Sequence, residues 1–213
     1  MSEDPLAGLA ARIGTCRVCV DAARPLPHAP RPVVVPSATA RILIAGQAPG
    51  TRVHASGIPF DDRSGDRLRD WMGVTPDQFY DPENFAIAPM GFCFPGQDAK
   101  GGDLPPRREC APRWRGPLID AMPQIELVLA IGSYAQAWHL GEARRESLTE
   151  TVTAWRAIFM RNAAPRVLPL PHPSWRNTAW LKRNPWFETD LLPVLRREIA
   201  VRLQPLGPQT AHY

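Results

Sequence analysis

With 213 residues, 44% of them hydrophobic and 22% charged, the chain has the balance of a globular protein, which excludes a disordered segment and a membrane bundle. At roughly 100 to 200 residues per domain this predicts a single domain, over 1–203. The formal charge of +4 comes from 25 Lys plus Arg against 21 Asp plus Glu, with Lys100 and Lys182 the only lysines.

No apolar run reaches the roughly 18 residues of a spanning helix. The start, Met1-Ser2-Glu3-Asp4-Pro5, lacks the basic, then apolar order of a secretion signal, so an intracellular, cytoplasmic protein is expected. The first predicted element is a helix over 6–15, which runs into the C-x-x-C pair Cys16 and Cys19. Prolines between 25 and 36 exclude a regular helix there. An apolar run over 41–45 predicts the first buried strand, followed directly by Gly46-Gln47-Ala48-Pro49-Gly50. Two glycines around a proline make a tight turn that brings backbone N–H groups close to a ligand. The turn lacks the Lys-Ser/Thr ending of a P-loop and the spacing of a dinucleotide fingerprint, which argues against nucleotide hydrolysis and NAD binding.

Next come Gly57-Ile58-Pro59-Phe60-Asp61-Asp62, a helix over 65–72, a strand over 85–88, Cys93, and a sixteen-residue loop rich in Gly and Pro that ends at Cys110. Helices over 113–122, 133–140 and 148–159 alternate with strands over 127–131 and 167–170. The last strand enters Pro171-His172-Pro173-Ser174, then Trp175, Arg176 and Asn177. A histidine between two prolines is held rigidly. A helix over 188–203 closes the domain, and 204–213 reads as a loose tail.

Strand alternating with helix predicts an α/β fold: a parallel sheet covered on both faces, with ligands bound beyond the carboxyl ends of the strands. Charge points to the same end. Between 151 and 187 there is no acidic residue, while Arg156, Arg161, Arg166, Arg176, Lys182 and Arg183 contribute +6, leaving 19 basic against 21 acidic residues elsewhere. One basic face on an otherwise acidic body is the footprint of phosphate-backbone binding; a merely solvated basic face is the alternative.

In a reducing compartment four cysteines serve as ligands more readily than as structural disulfides. Cys16 and Cys19 can aim two sulfurs at one centre, with Cys93 and Cys110 supplying the other corners; four thiolates suit zinc or a [4Fe-4S] cluster. A zinc ribbon repeats its close spacing in both halves. This chain does not, which favours iron and sulfur, with zinc as the alternative.

Together these residues resemble the uracil-DNA glycosylase superfamily, and within it the iron-sulfur, family 4-like branch. That branch has a Gly-Glu-Ala-Pro-Gly turn followed in register by Gly-x-Pro-Phe, matched by Gly46 to Gly50 and Gly57 to Phe60. Its His-Pro-Ser motif is matched by His172 to Ser174, and its cluster cysteines by Cys16, Cys19, Cys93 and Cys110. The resemblance covers about 6–202 and implies a three-layer α/β/α sandwich on a four-stranded parallel sheet. It further implies a monomeric repair enzyme that flips uracil, or another deaminated or damaged base, out of DNA and hydrolyses its N-glycosidic bond.

By that resemblance Phe60 stacks on the flipped base, and Gly46, Gln47 and Ala48 contact the base or position water. His172, as a neutral imidazole, donates to the departing base. Ser174 grips a phosphate, Trp175 or Arg176 wedges into the gap, and Lys182 and Arg183 hold the backbone. Three positions depart from the family. Its Glu is Gln47, Ala48 stands where other branches carry a water-activating Asp or Asn, and Pro89 replaces the Asn that reads uracil. Asp61 and Asp62 are left as candidates to orient water, and specificity broader than uracil is expected. The loop over 94–109 has no histidine to trap DNA covalently, so turnover is expected. The rival readings are a non-catalytic DNA-binding module with the same fold and cluster, and a zinc-stiffened structural protein.

Overall fold

The computed structural model describes residues 4–22, 25–161 and 163–204; from 205 on, the expected tail lies outside the described residues. Four strands, β1 (Ile42–Ala45), β2 (Phe85–Ile87), β3 (Leu127–Ile131) and β4 (Arg166–Leu170), form one sheet in the order β2-β1-β3-β4. Every pairing is parallel, with Ile42 beside both Phe85 and Leu127, and Leu127 beside Arg166. The strands are short, continuous apolar runs because both faces are covered.

In chain order the helices are α1 (Pro5–Gly14), α2 (Thr51–Ser56), α3 (Arg63–Met72), α4 (Pro76–Tyr80), α5 (Cys110–Asp120), α6 (Gly132–Leu140), α7 (Leu148–Thr153), α8 (Trp155–Phe159), α9 (Thr178–Arg183) and α10 (Leu192–Leu203). Side chains alternate across the strands and so define two cores. Ile42, Ile44, Leu129 and Leu168 meet Leu68 and Trp71 of α3, Phe79 of α4, Val152 of α7, Trp155 of α8 and Leu195 of α10. Leu43, Ala45, Val128 and Ala130 meet Leu9 and Ile13 of α1, Trp114 and Leu118 of α5 and Ala135 of α6. This is the α/β/α sandwich that the alternation of elements predicts.

The prolines of 25–36 do exclude a helix, and the segment has a use. Val35 exchanges two 2.8 Å backbone hydrogen bonds with Ile87, and Val33 N–H donates to the Phe92 carbonyl at 2.7 Å, so the segment covers the open edge of β2. The helix expected over 148–159 is two helices, because the chain turns at Ala154 (φ −79°, ψ 11°) before α8 restarts at Trp155. The helix expected from 188 instead opens with a π turn, Phe187–Leu191, before α10. Pro193, in the first turn of α10, has no N–H to continue an α ladder backwards. Helix α5 starts earlier than expected, at Cys110 itself, and α2, α4 and α9 are too short to carry a periodic signal.

Candidate nucleobase cleft and cysteine cavity

At the carboxyl ends of β1, β2 and β4 the chain opens a cleft of about 580 Å³, lined by Gly46, Gln47, Ala48, Phe60, Pro89 and His172 among others. That volume lies within the range of small-ligand sites. Its aromatic wall is built with unusual tightness. Phe60 has a left-handed backbone (φ 55°), and its ring lies edge-on to Phe79, with centroids 5.9 Å apart. The Phe60 carbonyl accepts from Arg69 and from the Tyr80 hydroxyl, each at 3.4 Å. A Cβ on Gly46 would lie 3.2 Å from the Phe60 ring, and one on Gly65 would lie 1.8 Å from the Phe60 carbonyl oxygen. Both glycines are there so that the ring can come close. The turn below is stitched to the segment after β2, with Met90 N–H donating to Gly46 and Gly91 N–H to Gln47, both at 2.9 Å.

His172 lines the same cleft. Its Nδ1 accepts from the Ser174 backbone N–H at 3.3 Å, which leaves Nε2 as the protonated, donating nitrogen of a neutral ring. Burial pushes the imidazole below its usual pKa, against the opposing pull of the Asp62 and Asp103 carboxylates, and so favours that neutral form. The surrounding loop is pinned from three sides. Asn177 Nδ2 donates to the His172 carbonyl at 2.7 Å, Arg67 to the Ser174 carbonyl at 3.0 Å, and Gln136 to the Leu170 carbonyl at 2.9 Å. The arrangement places a preset hydrogen-bond donor and an aromatic ring in the lining of one cleft.

A family model for the uracil DNA glycosylase superfamily matches residues 32–196. The chain belongs to the uracil DNA glycosylase superfamily.

Membership gives the mouth of the cleft a direction. Ser174, Trp175 and Arg176 line it, Trp175 is 73% exposed, and the Arg176 guanidinium lies 5.9 Å from the Trp175 ring centroid. Arg52 and Arg63 line it too, so the cationic rim of this superfamily member is broader than its sequence indicated. Lys182 and Arg183 are exposed in the last turn of α9, outside the lining. Arg166 lies elsewhere: it opens β4, at the opposite end of the strand from His172, and pairs with Glu198 at 3.3 Å. The acid-free stretch is therefore spread over both ends of the sheet rather than gathered on one face.

The carboxylates also sort themselves. Asp61 pairs with Arg52 at 3.6 Å and is not among the residues lining the cleft. Asp62 lines the cleft, with one oxygen capping α3 through Gly65 N–H at 2.8 Å. Asp103, from the loop between the third and fourth cysteines, lines it as well. Sequence reasoning missed Asp103, Arg52, Arg63, Arg67 and Gln136. Only the position of Arg52 and Arg63, either side of the Gly57 to Phe60 motif, offered a clue.

Cys16, Cys19, Cys93 and Cys110 all line a second cavity. All four are free thiols. Donors already face them: Trp114 Nε1 to Cys16 at 3.2 Å and the Phe92 N–H to Cys110 at 3.3 Å. Burial pushes Cys93 up to about 11 and Cys110 up to about 12, so these sulfurs give up protons only to a strong electrophile such as a metal. Among the described residues no three His, Cys, Asp or Glu side chains stand close enough to hold a single metal ion as they are. The donor chemistry nonetheless fits a thiolate-ligated group, with four sulfurs sharing one space and N–H groups aimed at two of them.

Beneath the cleft lining at Pro89, Arg115 of α5 is 1% exposed and bonded to the Pro89 carbonyl. It donates to the carbonyls of Ala88 (2.9 Å) and Pro89 (3.0 Å) and to His139 Nε2 (3.1 Å), with no carboxylate partner. Burial lowers the guanidinium to about 10; burial together with the Arg115 charge lowers His139 to about 3. A neutral His139 is the acceptor this geometry requires.

Among the described residues no helix is long and apolar enough to cross a membrane.

Proposed function

We propose that the protein is a monofunctional DNA glycosylase of the iron-sulfur, family 4-like branch, releasing uracil and other deaminated or damaged bases from DNA. The observation that carries this reading is the His172 Nε2–H, fixed by the Ser174 amide in the lining of the same cleft as Phe60. Arg52, Arg63 and Arg176 draw in the phosphate backbone, and Trp175 fills the gap left by an extruded nucleotide. Phe60 stacks on the base. As the bond from C1′ to the base breaks, its electron pair leaves with the base, and His172 donates a hydrogen bond to the oxygen on which charge develops. Such preset donors are worth about 100- to 1,000-fold in rate. Water adds to C1′ and loses a proton, giving an abasic site and free base.

Pro89 and Ile87 form the part of the lining where a uracil-reading amide would stand, and neither side chain can hydrogen-bond. A wall without donors rejects wrong bases weakly, which supports the wider range of substrates. Cys16, Cys19, Cys93 and Cys110 would hold a [4Fe-4S] cluster, with zinc as the alternative; either would brace the proline-rich segment and the 94–109 loop. The protein acts as a monomer on DNA inside the cell.

Uracil-containing oligonucleotides, and a panel carrying other lesions, treated with alkali after incubation provide the test. Wild-type protein should yield cleaved strands, and His172→Ala should lose excision while keeping DNA affinity. Equal affinity with no excision by either protein would establish the rival reading, a non-catalytic module in which Ala48 and Pro89 mark lost chemistry. A brown, freshly purified protein with visible absorbance identifies the cluster, since zinc is colourless.

A further inference from the structure

Hydrolysis at C1′ needs an acceptor that holds the attacking water and takes its proton, and Ala48 has only a methyl group to offer. We propose that Asp103 is that acceptor, supplied by the loop between Cys93 and Cys110. The inference rests on the glycosylase reading and adds its missing catalytic group.

Two carboxylates act on His172, those of Asp62 and Asp103, and both line the cleft. They differ in what else they do. Asp62 is the N-cap of α3, where its Oδ1 accepts the Gly65 N–H at 2.8 Å, a local structural duty. Asp103 caps nothing. Its Oδ1 accepts from Gln97 Nε2 at 3.2 Å, while its Oδ2 stands beside Gly50, where a Cβ would come within 3.3 Å. Oδ2 thus stands at the end of the same turn that carries Ala48, in a cleft of about 580 Å³ that has room for water.

The loop that presents Asp103 is a small, well-tied hairpin. Gln97 and Asp103 form an antiparallel bridge, Asp98 N–H donates to Gly102 at 2.8 Å, and Leu104 N–H donates to Gly96 at 2.9 Å. The Asp98 carboxylate accepts from the Lys100 and Gly102 amides, both at 2.8 Å. A carboxylate on such a loop keeps its place without being part of a helix or strand. In the reaction the water oxygen bonds to C1′ as the base departs with its electron pair, and the water proton passes to Asp103 Oδ2 and then to solvent. His172 donates a hydrogen bond throughout and keeps its proton.

Asp103→Asn keeps the shape and the Gln97 contact but accepts no proton; Asp62→Asn and His172→Ala serve as controls. Single-turnover excision of a uracil oligonucleotide is followed at neutral pH, with DNA affinity measured by fluorescence anisotropy. A lost general base slows the step by about 100- to 10,000-fold, so Asp103→Asn should fall at least a hundredfold, with Kd within threefold. Asp103→Asn within threefold of wild type, while His172→Ala is inactive, would overturn the role of Asp103 and leave the glycosylase reading standing. So would an equal loss confined to Asp62→Asn. Release of no base at all by the wild type would overturn both.

Discussion

Arg115→Met tests whether the buried guanidinium supports the floor of the base cleft. Methionine fills most of the volume, so the change removes charge and hydrogen bonds more than packing. The carbonyls of Ala88 and Pro89 lose donors at 2.9 and 3.0 Å, and each buried acceptor left unpaired costs about 1–3 kcal/mol, so together about 2–6. Removing a desolvated cation returns several kcal/mol, which places the net loss near the low end, at about 2 kcal/mol. For a domain of this size each kcal/mol lowers Tm by about 2–4 °C, so a drop of about 4–8 °C is expected by circular dichroism. Arg115→Lys keeps the charge but cannot reach three acceptors at once, and it should be no more stable than the methionine variant. If Arg115→Met melts at or above the wild-type temperature, the guanidinium is not holding these carbonyls, and the account of the cleft floor is wrong.

Two further outcomes follow from geometry and titration. Gly65→Ala places a Cβ 1.8 Å from the Phe60 carbonyl oxygen, so the aromatic wall must shift; overpacking of this kind costs about 1–3 kcal/mol, and excision should fall at least tenfold, with full activity in the alanine variant counting against the wall as built. His139, lowered from 6.5 to about 3 by burial and Arg115, binds fewer protons folded than unfolded, so its contribution to stability is complete above pH 6.5 and is lost as pH falls toward 3. Urea midpoints measured across that window should decline with acid in the wild type and decline less in His139→Gln.

The sheet was legible because β1, β3 and the 167–170 part of β4 are apolar runs bounded by turn formers, a pattern that needs no tertiary information. His172 was legible for a similar reason: two prolines mark a stiff strand end. What escaped depends on contacts between distant segments. The 94–109 loop gives no sign in sequence that its Asp103 reaches Gly50. Adjacent Asp61 and Asp62 read alike, yet the cap geometry brings Asp62 into the cleft lining and Asp61 goes to Arg52. Arg115, a charged residue two positions after Arg113 in α5, reads as a solvent-facing position and is instead among the most buried side chains. The charge run failed as a guide for the opposite reason, since β4 carries Arg166 and His172 to opposite ends of one strand.

The two walls of the cleft differ in their freedom to change. Phe60 is fixed by a left-handed backbone, by Gly65, where a methyl group would collide with its carbonyl, by the close approach of Gly46 to its ring, and by donors on its carbonyl. Any substitution there disturbs several neighbours at once. Pro89 lines the opening with an ordinary backbone and a ring that makes no hydrogen bond. Divergence among descendants of this chain, or selection in the laboratory, would therefore alter the menu of accepted heterocycles through position 89 and leave the stacking plate as it is.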